Sequence, residues 1–184
     1  MEKNIKNIKE ETTSEKVKRL SFIKAEDIFF IIYNTLIFLD NLQCNSEKKI
    51  FKDWRKLVFI IYLVNDKRSI EILKECSRGV LNDQFTKELK RIYIEGAQNK
   101  NLVKYILLLL EKKKLICLVK GKVELDVYLL ENDEVKKFIK NELFDDEKEN
   151  IKELRELFPK IRILSYKTLL EKIFKNNGVE IWEN

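Results

Sequence analysis

Glu124 and Asp126 alternate with Val123, Leu125 and Val127, and Lys120 and Lys122 stand just ahead of them in KGKVELDVYLL. Two carboxylates on one face of a strand with lysines nearby are the raw material of a metal-dependent nuclease, in which acidic groups gather over one cation. The same alternation is also the ordinary solvent face of a strand, which is the simpler reading here. The cysteines offer less. Cys44, Cys76 and Cys117 are far apart, form no Cys-x-x-Cys pair, and have no histidine to join them, because the chain contains none. Ser-His-Asp and Cys-His nucleophile systems, imidazole proton shuttles and His-containing metal sites are therefore closed to this chain alone. Four isolated glycines do not make a phosphate-cradling loop, and Asp145, Asp146, Glu147 and Glu149 read as the solvated acidic start of a helix. The expectation is a protein with no catalytic residue, no cofactor and no metal, not an enzyme, with three free thiols in a reducing cytoplasm.

The elements that carry these residues are mostly helices. With 184 residues, 45% hydrophobic and 37% charged, and a net charge of +6, the chain has the size and apolar content of one globular domain. Its 30 Lys against 7 Arg, with 22 Ile and 15 Asn but only 2 Ala, have the look of an A+T-rich genome, so lysine abundance alone says little about nucleic acid. Residues 1–20 read as a flexible polar tail too polar for a signal peptide, and 21–184 as a single helical domain. No apolar run approaches the roughly 18 to 20 residues that cross a bilayer.

Helix periodicity starts after Ser21, and Phe29, Phe30, Ile37 and Phe38 make that first helix apolar nearly all round, the pattern of a helix central in the core or covered by a partner. Ser46 is the expected cap of a helix over 47–65, striped by Ile50, Trp54, Leu57, Val58 and Ile61, with Lys48, Lys52, Arg55 and Lys56 opposite. A short helix over 67–76 ends at Gly79. Asn82 then caps DQFTKELKRIYIEGAQ, which Gly96 closes or brings into tight contact, and NLVKYILLLLEKKK follows as a further helix. The runs LICLV and VELDVYLL around KGK predict a hairpin. Asn132 starts a helix to about 141, a polar helix covers 145–157 before Pro159, and SYKTLLEKIF is the last, stopped by Gly178.

Three helices and a hairpin over about 67–130 are the order of a winged helix, so the expected fold is a mainly α bundle with a winged-helix core and a C-terminal helical extension. Upstream, YNTLIFLDNL, KIFKDWRKLVFIIYLVND and LKRIYIEG, with Lys56, Leu57, Val58, Phe59 and Ile60 at the centre, resemble the small middle component of bacterial ABC three-component and Lamassu-type defence systems. The resemblance covers roughly residues 25–130 and rests on hydrophobic spacings. It implies an accessory, non-enzymatic subunit that contacts an SMC-like or ABC-type ATPase and helps scaffold or restrain an effector, often a nuclease, in anti-phage or anti-plasmid defence.

Residues 61–120 hold 13 basic and 7 acidic groups, while the flanking segments cancel. Such a positive core suits phosphate contact. The helix expected to meet the major groove argues otherwise: between Leu102 and Leu110 its only charged side chain is Lys104, which leaves little to read bases with. Lys100, Lys104, Lys112, Lys113, Lys114, Lys120 and Lys122 are the candidates for nonspecific phosphate contact. Trp54, Phe30, Phe38, Tyr105 and Trp182 are the candidates for protein contact. The leading expectation is the accessory subunit of an ATPase complex; the alternative is a stand-alone winged-helix DNA-binding regulator, and a His-free nuclease or hydrolase comes third.

Overall fold

Helix α1 (Ile28–Asn41) is apolar on nearly every face, and the fold surrounds it. In the computed structural model, which describes residues 28–80 and 82–182, Phe30, Ile31, Tyr33, Leu36, Ile37, Phe38 and Leu39 are all buried. Three polar residues within the helix turn back on it: Asn34 Nδ2 donates to the Phe30 carbonyl at 3.1 Å, Thr35 Oγ1 to that of Ile31 at 2.7 Å and Asn41 Nδ2 to that of Ile37 at 2.9 Å. The expected tail over 1–20 and the expected helix start at Ser21 lie outside the described residues.

The helix expected over 47–65 is shorter and begins later. Ser46 caps nothing; it forms an isolated bridge with Lys49, and Phe51 forms another with Val127, exchanging both backbone hydrogen bonds at 2.9 Å. Asp53 then turns the chain with a φ of 63°, its carboxylate accepting the Arg55 N–H at 3.2 Å. A 3-10 turn (Trp54–Lys56) leads into α2 (Leu57–Val64), every residue of which is buried. Long-range pairing of Phe51 with Val127 outcompetes the helical propensity of the residues around it, which as an isolated short helix would be marginal.

Asp66 caps α3 (Lys67–Ser77), which ends just before Gly79 at a φ of 83°. The two helices expected next are one: α4 (Asp83–Lys112) runs 30 residues, about 45 Å. Gly96 is the tight approach rather than the break. A Cβ there would lie 2.6 Å from Phe59 Cδ1 and 2.9 Å from the Val58 carbonyl oxygen, so its absence lets α4 lie directly on α2. The block 67–130 consequently holds two helices before the hairpin instead of three.

Strands β1 (Ile116–Lys120) and β2 (Leu125–Leu129) pair antiparallel, with Ile116 opposite Leu129 and Leu118 opposite Val127 on the inward face. After them come α5 (Asp133–Ile139), a 3-10 turn, α6 (Asp145–Leu157) and α7 (Tyr166–Ile173), with Asn132 and Ser165 capping α5 and α7. A last 3-10 turn ends at Gly178, whose φ of 81° closes the helical segment. The chain is mainly helical, with seven α-helices and one two-stranded antiparallel sheet among the described residues. None of those helices is long and apolar enough to cross a membrane.

Candidate interaction surface

The second half of α4, apolar in almost every direction from Tyr105 to Leu110, is buried on one side only. Val103, Ile106, Leu107 and Leu110 face the core, while Tyr105 is 59% and Leu108 47% exposed. Asn101, Lys104, Tyr105, Leu108 and Lys112 follow one another at helical spacing, and each is exposed, so they share one outward stripe. No acidic residue occurs between Glu95 and Glu111. Those two acids are both engaged: Glu95 accepts from Arg91 Nη1 at 2.9 Å, and Glu111 Oε1 accepts the Leu118 N–H at 2.9 Å, fastening the helix end to the hairpin.

The end of α4 closes in a Schellman turn, with Leu115 N–H donating to the Leu110 carbonyl at 3.0 Å and Lys114 N–H to that of Glu111 at 2.8 Å. Lys114 occupies the left-handed position at a φ of 57°, where Gly is the default and Asn the usual second choice. Lys112, Lys113 and Lys114, and Lys120 and Lys122 at the hairpin tip, are exposed; Lys100 is half-buried. None of these seven lysine candidates, Lys104 included, takes part in an ion pair among the described residues.

The two carboxylates of β2 and the residue just before it are not a free solvent face. Asp126 Oδ1 accepts the Asp53 N–H at 2.8 Å, and Glu124 Oε2 accepts the Trp54 indole N–H at 3.3 Å. Gly121 makes room for the turn that brings them there, since a Cβ on it would meet the Glu124 carbonyl and the Asp126 carboxylate. Arg55 grips Asp53 through Nε at 2.9 Å and Nη2 at 2.7 Å and lies 4.5 Å over the Tyr166 ring. Both acids thus act as acceptors that seat the hairpin on the start of α2. Among the described residues there is no cluster of three or more His, Cys, Asp or Glu that could hold a metal ion, and Cys44, Cys76 and Cys117 are free thiols.

Lys56 is the residue the sequence misplaced most. Instead of joining a basic face it is fully buried, its Nζ donating to the carbonyls of Ile161 at 2.8 Å and Arg162 at 3.1 Å and lying 4.2 Å over the Phe51 ring. Burial pushes its ammonium down from 10.5 to about 7, against the pull of Asp53. Burial also pushes the Cys44 thiol up to about 12, which makes it inert as a nucleophile.

Of the aromatic contact candidates, three are internal. Trp54 is 3% exposed, Phe38 packs edge-on against Phe51 at 5.4 Å, and Phe30 is covered by Tyr33 and Tyr62. Their surfaces are used by the chain's own core, so they are not available to a partner. Trp182 is 56% exposed but folds back, edge-on to Tyr93 at 5.1 Å, with its carbonyl accepting the Tyr93 hydroxyl at 2.9 Å. Tyr105 is the aromatic candidate that faces outward without such a contact. Leu108 beside it was missed as a contact residue, because the unbroken Leu run hides which of its members points out. Neither protein-family models nor curated proteins nor solved structures give a match to this chain.

Proposed function

We propose that this chain is a non-catalytic accessory subunit that binds an SMC-like or ABC-type ATPase and helps scaffold or restrain an effector subunit, such as a nuclease, in an anti-phage or anti-plasmid complex. The observation that carries the partner-binding part is the outward stripe of α4, where Tyr105 and Leu108 stand exposed on a helix whose opposite side, through Val103, Ile106, Leu107 and Leu110, packs into the core. An aromatic and a leucine left in water on a rigid helix are the kind of anchors that protein interfaces use. The identity of the partner comes from the resemblance of YNTLIFLDNL and the Lys56 to Ile60 segment to the middle component of such systems.

A winged-helix core is favoured by α4 leading directly into the β1–β2 hairpin, and by Phe51 lying as a third short extended segment against β2. The experiment is co-expression of the tagged full chain with any ATPase and effector encoded beside its gene. Recovery of a stable complex supports the reading, and a well-behaved monomer that retains neither ATPase nor effector overturns it.

A second reading, a stand-alone winged-helix regulator, has one observation in its favour: Lys104, Lys112, Lys113, Lys114, Lys120 and Lys122 are all exposed around the end of α4 and the hairpin tip. It requires binding to a defined duplex that is lost when these lysines are neutralised and that falls steeply with salt.

A further inference from the structure

We infer that the outward stripe of α4 is a seat for an acidic amphipathic helix of the partner protein, an inference that rests on the accessory-subunit reading and names the chemistry of its contact. Three observations converge on it. Tyr105 and Leu108, one turn apart, form an exposed apolar pair at the middle of the stripe, and Asn101 adds a neutral polar neighbour one turn earlier. Lys104 and Lys112 bracket that pair along the same face, and Lys113 and Lys114 continue the positive charge round the helix end. The nearest acids on the helix are turned elsewhere, Glu95 to Arg91 and Glu111 to the Leu118 N–H, and among the described residues neither forms an ion pair with the lysines of the stripe.

Apolar anchors framed by cations select a ligand that is apolar along one ridge and negative beside it. A helix with leucines at i, i+4 and i+7 and glutamates on either side meets both requirements: its ridge covers Tyr105 and Leu108, and its carboxylates reach Lys104 and Lys112. A duplex backbone meets only the second, because it offers Leu108 nothing apolar to bury against. Lys114 adds a further sign. Its exposed side chain carries the positive charge past the last turn of α4, from a left-handed backbone position at a φ of 57°.

The test uses the full-length chain and three fluorescent probes: an acidic peptide of roughly 18 residues with a leucine ridge, a scrambled peptide of identical composition, and a duplex of comparable charge. The ridged peptide binds at least about tenfold tighter than the scrambled one; Leu108→Ser and Tyr105→Ser each weaken it by about tenfold. Lys104→Gln with Lys112→Gln weakens it and flattens its salt dependence between about 0.05 and 0.3 M. Because all four side chains are exposed, circular dichroism melting confirms that the variants remain folded, and Lys175→Gln on the far 3-10 turn serves as the unchanged control. Equal affinity for both peptides overturns the inference, and so does binding of the duplex alone that Leu108→Ser leaves intact. Failure to recover an ATPase from co-expression counts against the functional reading and leaves this peptide comparison to decide the inference by itself.

Discussion

The backbone N–H of Asp53 donates to Asp126 Oδ1 at 2.8 Å across 73 positions of sequence, and this bond seats the hairpin on the start of α2. With the Trp54 indole held by Glu124 at 3.3 Å and Arg55 gripping Asp53, the carboxylates that looked catalytic in isolation are the clasp between the two halves of the fold. The same hairpin is tied to the end of α4, where the Leu118 N–H donates to Glu111 Oε1 at 2.9 Å.

Removing that acceptor leaves the half-buried Asp53 N–H unpaired. Asp126→Ala is expected to lower the stability measured by urea unfolding by about 1 to 3 kcal/mol, and Asp126→Asn, which keeps an oxygen acceptor, by less. Excess Mg²⁺ or Mn²⁺ leaves the wild-type midpoint unmoved, whereas cation binding at these carboxylates would raise it.

Gly96→Ala sets two effects against each other. Helix propensity favours alanine by about 1 kcal/mol, but the new Cβ would sit 2.6 Å from Phe59 Cδ1 and 2.9 Å from the Val58 carbonyl oxygen. Phe59 has little room to yield, being stacked on Tyr93 at 5.4 Å with the rings only 5° apart. The overlap wins, and the variant is expected to lose about 1 to 3 kcal/mol in the same unfolding measurement.

Lys114→Gly should do the opposite. Its φ of 57° is free for glycine and strained for lysine, so unfolding free energy rises by about 1 kcal/mol. If the charge has the role inferred for it, the same variant binds the acidic ridged peptide more weakly while being more stable.

The buried Lys56 gives stability a pH dependence whose sign is fixed. Its folded value of about 7 lies below the ordinary 10.5, so between those values the unfolded chain holds a proton that the folded chain has released, and stability rises with pH through that window. Cys44 opposes this at higher pH: its thiol is pushed from 9.0 up to about 12, so above 9 the unfolded chain gives up its proton first and stability falls. Lys56→Met removes the rising limb and leaves the Ile161 carbonyl without its donor. The expected cost is about 2 kcal/mol near pH 9 and less near pH 6, where the wild type also bears the burden of a buried charge. A cost that does not change between these pH values would contradict the assignment.

Local signals in the sequence anticipated much of this architecture. Asn82 and Asn132 each cap the helix expected to begin there, Gly178 ends the last helical segment, and the KGK connection marks the hairpin. What escaped depends on partners distant in sequence. Ser46 to Phe51 read as helix because the strand that claims Phe51 lies at Val127. Lys56 read as surface because its acceptors arrive from Ile161 and Arg162, more than a hundred residues on. Gly96 was ambiguous, since a missing Cβ ends a helix or admits a neighbour, and only the packing of α2 decides which. In the site, the lysines were legible as charges; the exposure of Leu108 within a run of leucines was not, because that run has apolar residues in every direction.

The measurement that bears most directly on the account is co-purification of the tagged full chain with any ATPase and effector encoded beside its gene, run in parallel for wild type, Tyr105→Ser with Leu108→Ser, and the Lys175→Gln control. The account predicts a stoichiometric complex with wild type and control that is lost in the double variant while its fold is retained. A wild-type chain that elutes as a monomer with neither ATPase nor effector, under the conditions in which both are expressed, contradicts it.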